Sequence, residues 1–201
     1  SVQVWHAFEA VFGADSPRVV KVLAGRLPEA DEYEGDGSAP SWNPMAAHVD
    51  ALGNGDINTV DGVRVDLQPD AYAINAYFGF DIGGDYSRDS LLSAVNGLDE
   101  PLRLARRLLD ERGGADVALV AYEGGQHITN DATAANRDPV MYDVYQRWLD
   151  VCDAHLDMNV LFSLVTPYHD GEAFGLKESI SQPAAEAHKW RAVIDWVQQV
   201  R

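Results

Sequence analysis

The sequence predicts an α/β fold built on a parallel sheet, and three observations support this. Four strand candidates alternate with predicted helices along the 201 residues, and such alternation forms parallel sheets through right-handed crossovers. Long polar segments follow the predicted strands, whereas most returns from helix to strand are short. Loops elaborated at the carboxyl ends of parallel strands are typical of β/α barrels, which build their sites there. Four β/α units are half of the eight that close such a barrel.

The predicted elements follow from hydrophobic spacing. Strands are predicted over residues 18–24, 71–77, 117–122 and 159–165. Helices are predicted over residues 4–12, 43–52, 87–111, 139–154 and 184–200, where apolar residues recur at helical spacing. Between the second helix and the second strand, Asp61-Gly62 lies among β-branched residues, which predicts a small hairpin. Asp138 and Pro139 are typical of a helix start, as N-cap and first helical residue.

Charge restricts the partners. The chain has 32 acidic against 15 basic residues and a formal net charge of −17. Nucleic acids and anionic membranes repel such a surface, so neither is predicted as a partner. No apolar stretch is long enough to cross a membrane. The acidic composition fits a protein from a salt-loving organism, and equally an ordinary acidic protein.

The sequence shows none of the usual cofactor signatures. Cys152 is the only cysteine, which rules out an intrachain disulfide, and its apolar position in a predicted helix favours a packing role. The histidines show no HExxH or comparable metal-ligand spacing. No glycine-rich phosphate loop follows a predicted strand. We therefore predict neither a metal nor an organic cofactor.

The most informative residue is Glu123, at the predicted end of the apolar run from Val117 to Tyr122. That run is what a strand covered on both faces requires. Gly124 and Gly125 come next and are predicted to let the backbone turn and to let another group approach closely. A carboxylate at the carboxyl end of a parallel strand is well placed to act on a ligand. The alternative is that it caps the next helix or pairs with an arginine.

Several motifs together resemble a known group of proteins. They are the segments Tyr122-Glu-Gly-Gly-Gln-His127 and Asn136-Arg-Asp-Pro139, the strand end at residues 73–79 and the turn at residues 173–178. This combination resembles the C-terminal half of barrels similar to clan A glycoside hydrolases, which include cellulase-like and cellulose-binding members. The resemblance covers nearly the whole chain. It implies a (β/α)8 TIM-barrel type of fold in which residues 1–201 supply about four β/α units, strands five to eight.

The resemblance also implies a chemistry. Glu123 corresponds to the nucleophile at the end of strand seven, and Tyr77 to a tyrosine that hydrogen-bonds and orients it. The acid/base glutamate of the group follows an asparagine, and no Asn-Glu pair occurs in this sequence. Retaining glycoside hydrolysis needs two carboxyl groups, so the acid/base is expected upstream, with the rest of the barrel supplied by the same longer protein or a second chain. Asp81 and Asp170 are reserve carboxylates, and core packing is the alternative for Tyr77.

The resemblance further implies a polysaccharide or oligosaccharide partner and an extracellular or cell-surface location. The candidates for sugar binding are Trp42, Phe78, His127, Tyr168 and Phe174. Aromatic rings in loops can stack on sugar rings, but they can also merely fix a loop, and His127 can serve only to bond its own loop. The chain has no tryptophan at the end of the fourth strand candidate. A carbohydrate-binding or structural barrel without catalysis is therefore the alternative to a hydrolase.

Overall fold

The chain folds as an α/β protein. The computed structural model describes residues 2–14, 16–40, 43–54, 59–60, 63–64, 68–80, 82–113, 116–169 and 171–200. Within them, the helices are α1 (Val2–Phe12), α2 (Pro44–Asn54), α3 (Arg88–Asn96), α4 (Asp99–Leu108), α5 (Ala132–Arg137), α6 (Val140–Asp153) and α7 (His188–Gln199). The strands are β1 (Val22–Ala24), β2 (Thr59–Val60), β3 (Val63–Arg64), β4 (Ala71–Phe78), β5 (Ala118–Gln126) and β6 (Met158–Asn159). None of these helices is both long and apolar enough to cross a membrane.

Four strands form one sheet in the order β1-β4-β5-β6. β1 pairs with β4 in parallel, with Val22 opposite Ala71, and the hydrogen bonds from β5 to β4 and from the β6 segment to β5 follow the parallel direction as well. The four strands therefore lie side by side in the sheet in the same order in which they occur along the chain. The short strands β2 and β3 form a separate antiparallel pair, as the hairpin prediction requires, although residues 61 and 62 between them lie outside the described part.

The chain divides into two compact units, and each combines two segments. The first unit is Ser1–Asn75 with Pro101–Val120, and the second is Ala76–Glu100 with Ala121–Arg201. β4 and β5 thus each begin in the first unit and end in the second. The described site residues introduced below all belong to the second unit.

The first unit has a core of small and aromatic side chains. Ala71, Ala73 and Val120 form a buried cluster on β4 and β5. Tyr72 is fully buried, and its hydroxyl lies 2.9 Å from Nδ1 of His48 on α2. Burial raises the pKa of the Tyr72 hydroxyl, so the phenol stays neutral and is available for this hydrogen bond.

The second unit is organised around α6, which packs against α3 and α7. Tyr145, Trp148 and Cys152 on its buried face are each at most 1% exposed. The indole Nε1 of Trp148 donates a hydrogen bond of 3.1 Å to the carbonyl of Ala76 in β4. As predicted, Cys152 packs in the core, and burial raises the pKa of its thiol to about 12.

The third predicted strand is longer than the sequence suggested. β5 does not end before Glu123 but continues to Gln126, so the predicted turn at Gly124 and Gly125 was wrong. The predicted close approach is confirmed at Gly124, where an added Cβ would lie 2.8 Å from the carbonyl oxygen of Ala76. By contrast, the second predicted strand is confirmed as β4, with one residue added at Phe78.

The outer predicted strands are shorter than expected. β1 begins at Val22, because the amide of Lys21 bonds the carboxylate of Asp70 at 2.6 Å. The fourth strand candidate pairs as β6 only over Met158–Asn159. The second half of that candidate pairs elsewhere, since the carbonyls of Ser163 and Leu164 accept hydrogen bonds from residues 176 and 177.

Two helix predictions also need correction. The helix predicted over residues 87–111 is divided into α3 and α4 at Gly97, the residue type with the lowest helix propensity after proline. The short helix α5 was not predicted, because its segment was taken as a loop. α6 begins at Val140, one residue later than expected, and the amide of Val140 donates a 2.8 Å hydrogen bond to the carboxylate of Asp138, which caps the helix start.

Candidate functional site

Glu123 lies in β5, and its carboxylate is close enough to the hydroxyl of Tyr77 in the neighbouring strand β4 to act on it through its charge and through hydrogen bonding. Burial raises the pKa of Tyr77, and the negative charge of Glu123 and the hydrogen bond to it raise this pKa further. The phenol therefore keeps its proton at neutral pH and acts as the donor. Both side chains are partly exposed, so the pair is accessible to a ligand.

β5 contains an extra residue close to this pair. The amide of Ala118 bonds the carbonyl of Asp70 at 3.0 Å, and the amide of His127 bonds the carbonyl of Phe78 at 2.7 Å. Between these two bonds β5 advances nine residues while β4 advances eight, which defines a β-bulge. Gly125 lies in this interval with φ of 139°, a conformation that favours glycine. A bulge changes the direction of nearby side chains, which is one reason why bulges occur beside active sites.

Gly124 allows β4 and β5 to approach closely. A Cβ atom at this position would lie 2.8 Å from the carbonyl oxygen of Ala76 and 3.0 Å from Cζ2 of Trp148. Both distances are shorter than an ordinary van der Waals contact. Glycine is therefore required here for strand approach and not for a turn.

Tyr77 belongs to an aromatic cluster, which we define as Tyr77, Phe80, His127, Phe162 and Phe174. The His127 ring stacks on Phe80 with centroids 4.3 Å apart and an interplanar angle of 24°. Its centroid is 5.6 Å from that of Tyr77 and 5.3 Å from that of Phe174, both edge to face. Phe162 meets Phe174 at 5.5 Å. Phe80 and Phe162 are 52% and 44% exposed, so the aromatic cluster presents ring surface to solvent.

His127 holds an unused polar atom inside the aromatic cluster. Its Nδ1 is buried and has no hydrogen-bond partner among the residues that the structure describes. Buried polar atoms are nearly always hydrogen-bonded, so such an exception calls for an explanation such as a ligand or water. A hydroxyl group of a bound molecule would satisfy it.

Two predicted sugar-binding residues do not face a site. Phe78 is 2% exposed, and its ring packs against Tyr145 and Trp148 in the core of the second unit. Tyr168 is 9% exposed, and its hydroxyl donates a 2.7 Å hydrogen bond to the carbonyl of Gly175. Side-chain alternation explains the first error, because Phe78 follows Tyr77 and points to the opposite face of β4. Tyr168 fixes its own loop.

Three other predicted residues, Trp42, Asp81 and Asp170, lie outside the described residues. Their predicted roles stay predictions. Among the described residues, no three His, Cys, Asp or Glu side chains are placed to hold a metal ion.

Sequence reasoning missed Phe80 and Phe162 as members of the aromatic cluster. Phe80 follows the end of β4 by two residues, which is a signal that could have been used. Phe162 was assigned to a strand interior, and only the 3.0 Å hydrogen bond from its amide to the carbonyl of Gly124 shows its position beside β5.

Arg137, within the Asn136–Pro139 motif, pairs with a residue outside the aromatic cluster. Its guanidinium forms a two-contact ion pair with Glu178, with Nε 3.0 Å from Oε2. This pair links α5 to the segment that follows Phe174.

Neither the protein-family models nor the curated proteins compared with this chain give a match. The geometry of the site is therefore the basis for a proposed function.

Proposed function

We propose that this chain provides the nucleophile and part of the sugar-binding surface of a glycoside hydrolase-like protein that acts on a β-linked polysaccharide. The observation that carries the proposal is the placement of the Tyr77 hydroxyl beside the Glu123 carboxylate, with Tyr77 itself part of an exposed aromatic cluster. A fixed carboxylate supplies a nucleophile, and exposed aromatic rings supply an apolar surface for the C–H faces of sugar rings.

The proposed chemistry is retaining hydrolysis. A Glu123 carboxylate oxygen forms a bond to the anomeric carbon while the glycosidic C–O bond breaks, and the leaving oxygen takes a proton from a second carboxyl group. Water then releases the sugar from the enzyme, with that second group acting as base. In retaining enzymes the two carboxyl groups lie about 5–5.5 Å apart. In this proposal the second group comes from outside this chain, and Tyr77 orients the first.

Strand order supports a barrel as the setting. In the sheet, β1, β4, β5 and β6 stand in the order in which they occur along the chain, without the reversal of strand order that marks a doubly wound sheet. Right-handed crossovers between successive parallel neighbours are the connections of a β/α barrel. In this proposal the four strands are strands five to eight of a TIM-type barrel.

The proposed barrel needs four further β/α units, from the same longer protein or a second chain. At one sheet edge, Val20 and Val22 are 66% and 37% exposed. At the other, Met158 and Val160 are 53% and 43% exposed, and within the described part of the chain both amide atoms of Asn159 are buried without a hydrogen-bond partner. Uncovered strand edges with apolar side chains promote association. A monodisperse monomer with the mass of this chain alone would contradict this part of the proposal.

The net charge suits this function. A neutral polysaccharide is not repelled by a charge of −17, whereas nucleic acids and anionic membranes are. An extracellular or cell-surface setting, where polysaccharides are found, and a salt-rich environment that screens self-repulsion both belong to this proposal.

A second candidate is a carbohydrate-binding barrel without catalysis. The sequence feature that favours it is the absence of a tryptophan at the end of the fourth strand candidate. The aromatic cluster alone would suffice for binding.

The test compares Glu123→Gln with Glu186→Gln, a matched loss of charge at an exposed residue of the second unit. Hydrolysis of β-glucan and binding of β-gluco-oligosaccharides are measured on the complete protein. We expect Glu123→Gln to lower kcat at least about 10³-fold, as removal of a nucleophile does, with oligosaccharide affinity retained, and Glu186→Gln to change neither quantity.

Other outcomes distinguish the candidates. Binding without hydrolysis in the wild type, lost on replacement of Phe162 by alanine, would favour the binding barrel. If the wild type neither binds nor cleaves β-glucans, the sugar proposal is wrong.

A further inference from the structure

Lys189 of α7 is a buried lysine in the second unit. Its side chain is fully buried, and Nζ donates hydrogen bonds of 2.7 Å to Oδ1 of Asn136 and 2.7 Å to the carbonyl of Ala173. Nζ also lies 4.5 Å from the ring centroid of Tyr168, a cation–π contact. Its two hydrogen-bond acceptors are thus uncharged, and an amino group in such a place costs stability compared with an apolar side chain. The burial of Lys189 therefore indicates a role other than stability.

The carbonyl of Ala173 receives a second donor. Nε2 of Gln126, the last residue of β5, lies 2.9 Å from it. The other amide atom of Gln126 accepts a 2.7 Å hydrogen bond from the amide of Ile128, and the Gln126 side chain is fully buried. Lys189 and Gln126 thus hold one peptide group from two elements, α7 and β5.

That peptide group joins Ala173 to Phe174, a member of the aromatic cluster. The Phe174 ring has its centroid 5.3 Å from His127, 6.2 Å from Tyr77 and 5.5 Å from Phe162. The Phe174 ring thus contacts three members of the aromatic cluster, whereas the ring contact of Phe162 within the cluster is with Phe174. A change in the position of the Ala173 carbonyl would move this ring first.

We propose that Lys189 is a positioning residue for the aromatic cluster. Together with Gln126 it fixes the Ala173 carbonyl, and so sets Phe174 against His127 and Tyr77 where a sugar ring would stack. The meaning of this placement for sugar binding rests on the proposed function, whereas the placement of Phe174 by Lys189 does not. Lys189 acts through Phe174 and does not touch the sugar.

The test replaces Lys189 by methionine, which is close in length and cannot donate hydrogen bonds. Lys177→Met is the matched control, because Lys177 lies in the segment just after Phe174 and its Nζ bonds the carbonyl of Ile180 at the surface. Both variants are labelled with 4-fluorophenylalanine, and the ¹⁹F resonance of Phe174 is assigned from its loss in Phe174→Leu. We expect Lys189→Met to shift this resonance, because the ring loses its fixed place beside His127, and Lys177→Met to leave it unchanged.

The same variants are then titrated with a β-gluco-oligosaccharide. We expect Lys189→Met to weaken binding about tenfold, the contribution of one well-placed aromatic contact, and to raise KM with little change in kcat. A general loss of folded protein would instead lower the apparent kcat in proportion and leave KM unchanged.

Each outcome decides the inference. An unmoved Phe174 resonance in Lys189→Met overturns it, whether or not the wild type binds sugar. A moved resonance with unchanged sugar affinity overturns the link to the site. If the wild type binds no sugar, the proposed function fails, and the resonance alone decides whether Lys189 positions Phe174. Should Lys189→Met not fold, Lys189→Leu, which is shorter and equally unable to donate a hydrogen bond, is judged by the same resonance.

Discussion

Replacing Gly124 by alanine tests how closely β4 and β5 approach beside Glu123. The added Cβ would lie 2.8 Å from the carbonyl oxygen of Ala76, 3.2 Å from its Cβ and 3.0 Å from Cζ2 of Trp148. None of these atoms is the free end of a flexible side chain. The variant can therefore be accommodated only if a strand or the indole moves.

The cost has two parts. Overpacking in a well-packed interior costs about 1–3 kcal/mol. The Ala76 carbonyl that meets the new Cβ is also the acceptor for the Trp148 indole, and a buried donor left unpaired costs a further 1–3 kcal/mol or so. We expect Gly124→Ala to lower the free energy of unfolding by about 2–6 kcal/mol, and the midpoint of thermal unfolding by roughly 4–24 °C.

Gly35→Ala is the matched control. A Cβ at Gly35 would meet nothing within 4 Å, and its φ lies outside the positive range. This variant should be neutral, or more stable by up to about 1 kcal/mol, because alanine restricts the unfolded chain. Denaturant unfolding followed by circular dichroism gives both values, and the ¹⁵N-indole resonance of Trp148 reports the hydrogen bond. If Gly124→Ala is as stable as Gly35→Ala and the Trp148 resonance is unchanged, the close approach argued from the geometry is wrong.

Two further predictions concern single side chains. Tyr77→Phe should lower kcat/KM for β-glucan about 10- to 150-fold, because a hydrogen bond to a charged group contributes about 1.5–3 kcal/mol. Tyr122→Phe is the control. If the two variants have equal effects, Tyr77 is not the residue that orients Glu123. Burial gives the Cys152 thiol a pKa of about 12 in the folded protein, against 9.0 when unfolded. The contribution of the buried thiol to the free energy of unfolding is therefore complete below pH 9. It decreases as the pH rises from 9 towards 12, by up to about 1.4 kcal/mol per pH unit. The difference in unfolding free energy between wild type and Cys152→Ala should therefore shrink between pH 8 and 10.5, and a constant difference would show that the thiol ionises alike in both states.

The sequence sufficed for the elements whose pattern is local. β4 and α6 lie within a residue or two of their predicted bounds, because an apolar run and a helical period with a capping Asp138 are properties of neighbouring residues. β5 was cut short for the opposite reason. Gly124 and Gly125 indicate a turn when only chain flexibility is considered. Gly124 instead lets β5 approach β4 at Ala76, which is far away in sequence.

The site was predicted in part for the same reason. Glu123 and Tyr77 could be paired through the family resemblance, and the structure does bring them together. The ring contacts of Phe80 and Phe162 with the aromatic cluster depend on the register of β5 against its neighbours, including one extra residue, and no local pattern specifies it. Lys189 was overlooked because a lysine in an amphipathic helix is normally placed on the solvent face.

The division into two interleaved units limits how the protein can be shortened. The chain passes from one unit to the other after Asn75, after Glu100 and after Val120, so no single cut yields either unit whole. A fragment that starts at Ala76 would keep the complete candidate site. It would also carry Pro101–Val120 without the segment with which it forms a unit, leaving side chains such as Leu104 and Leu108, each 3% exposed in the intact chain, without their usual cover. A fragment that contains only the site region would therefore be smaller than the whole chain but prone to aggregation.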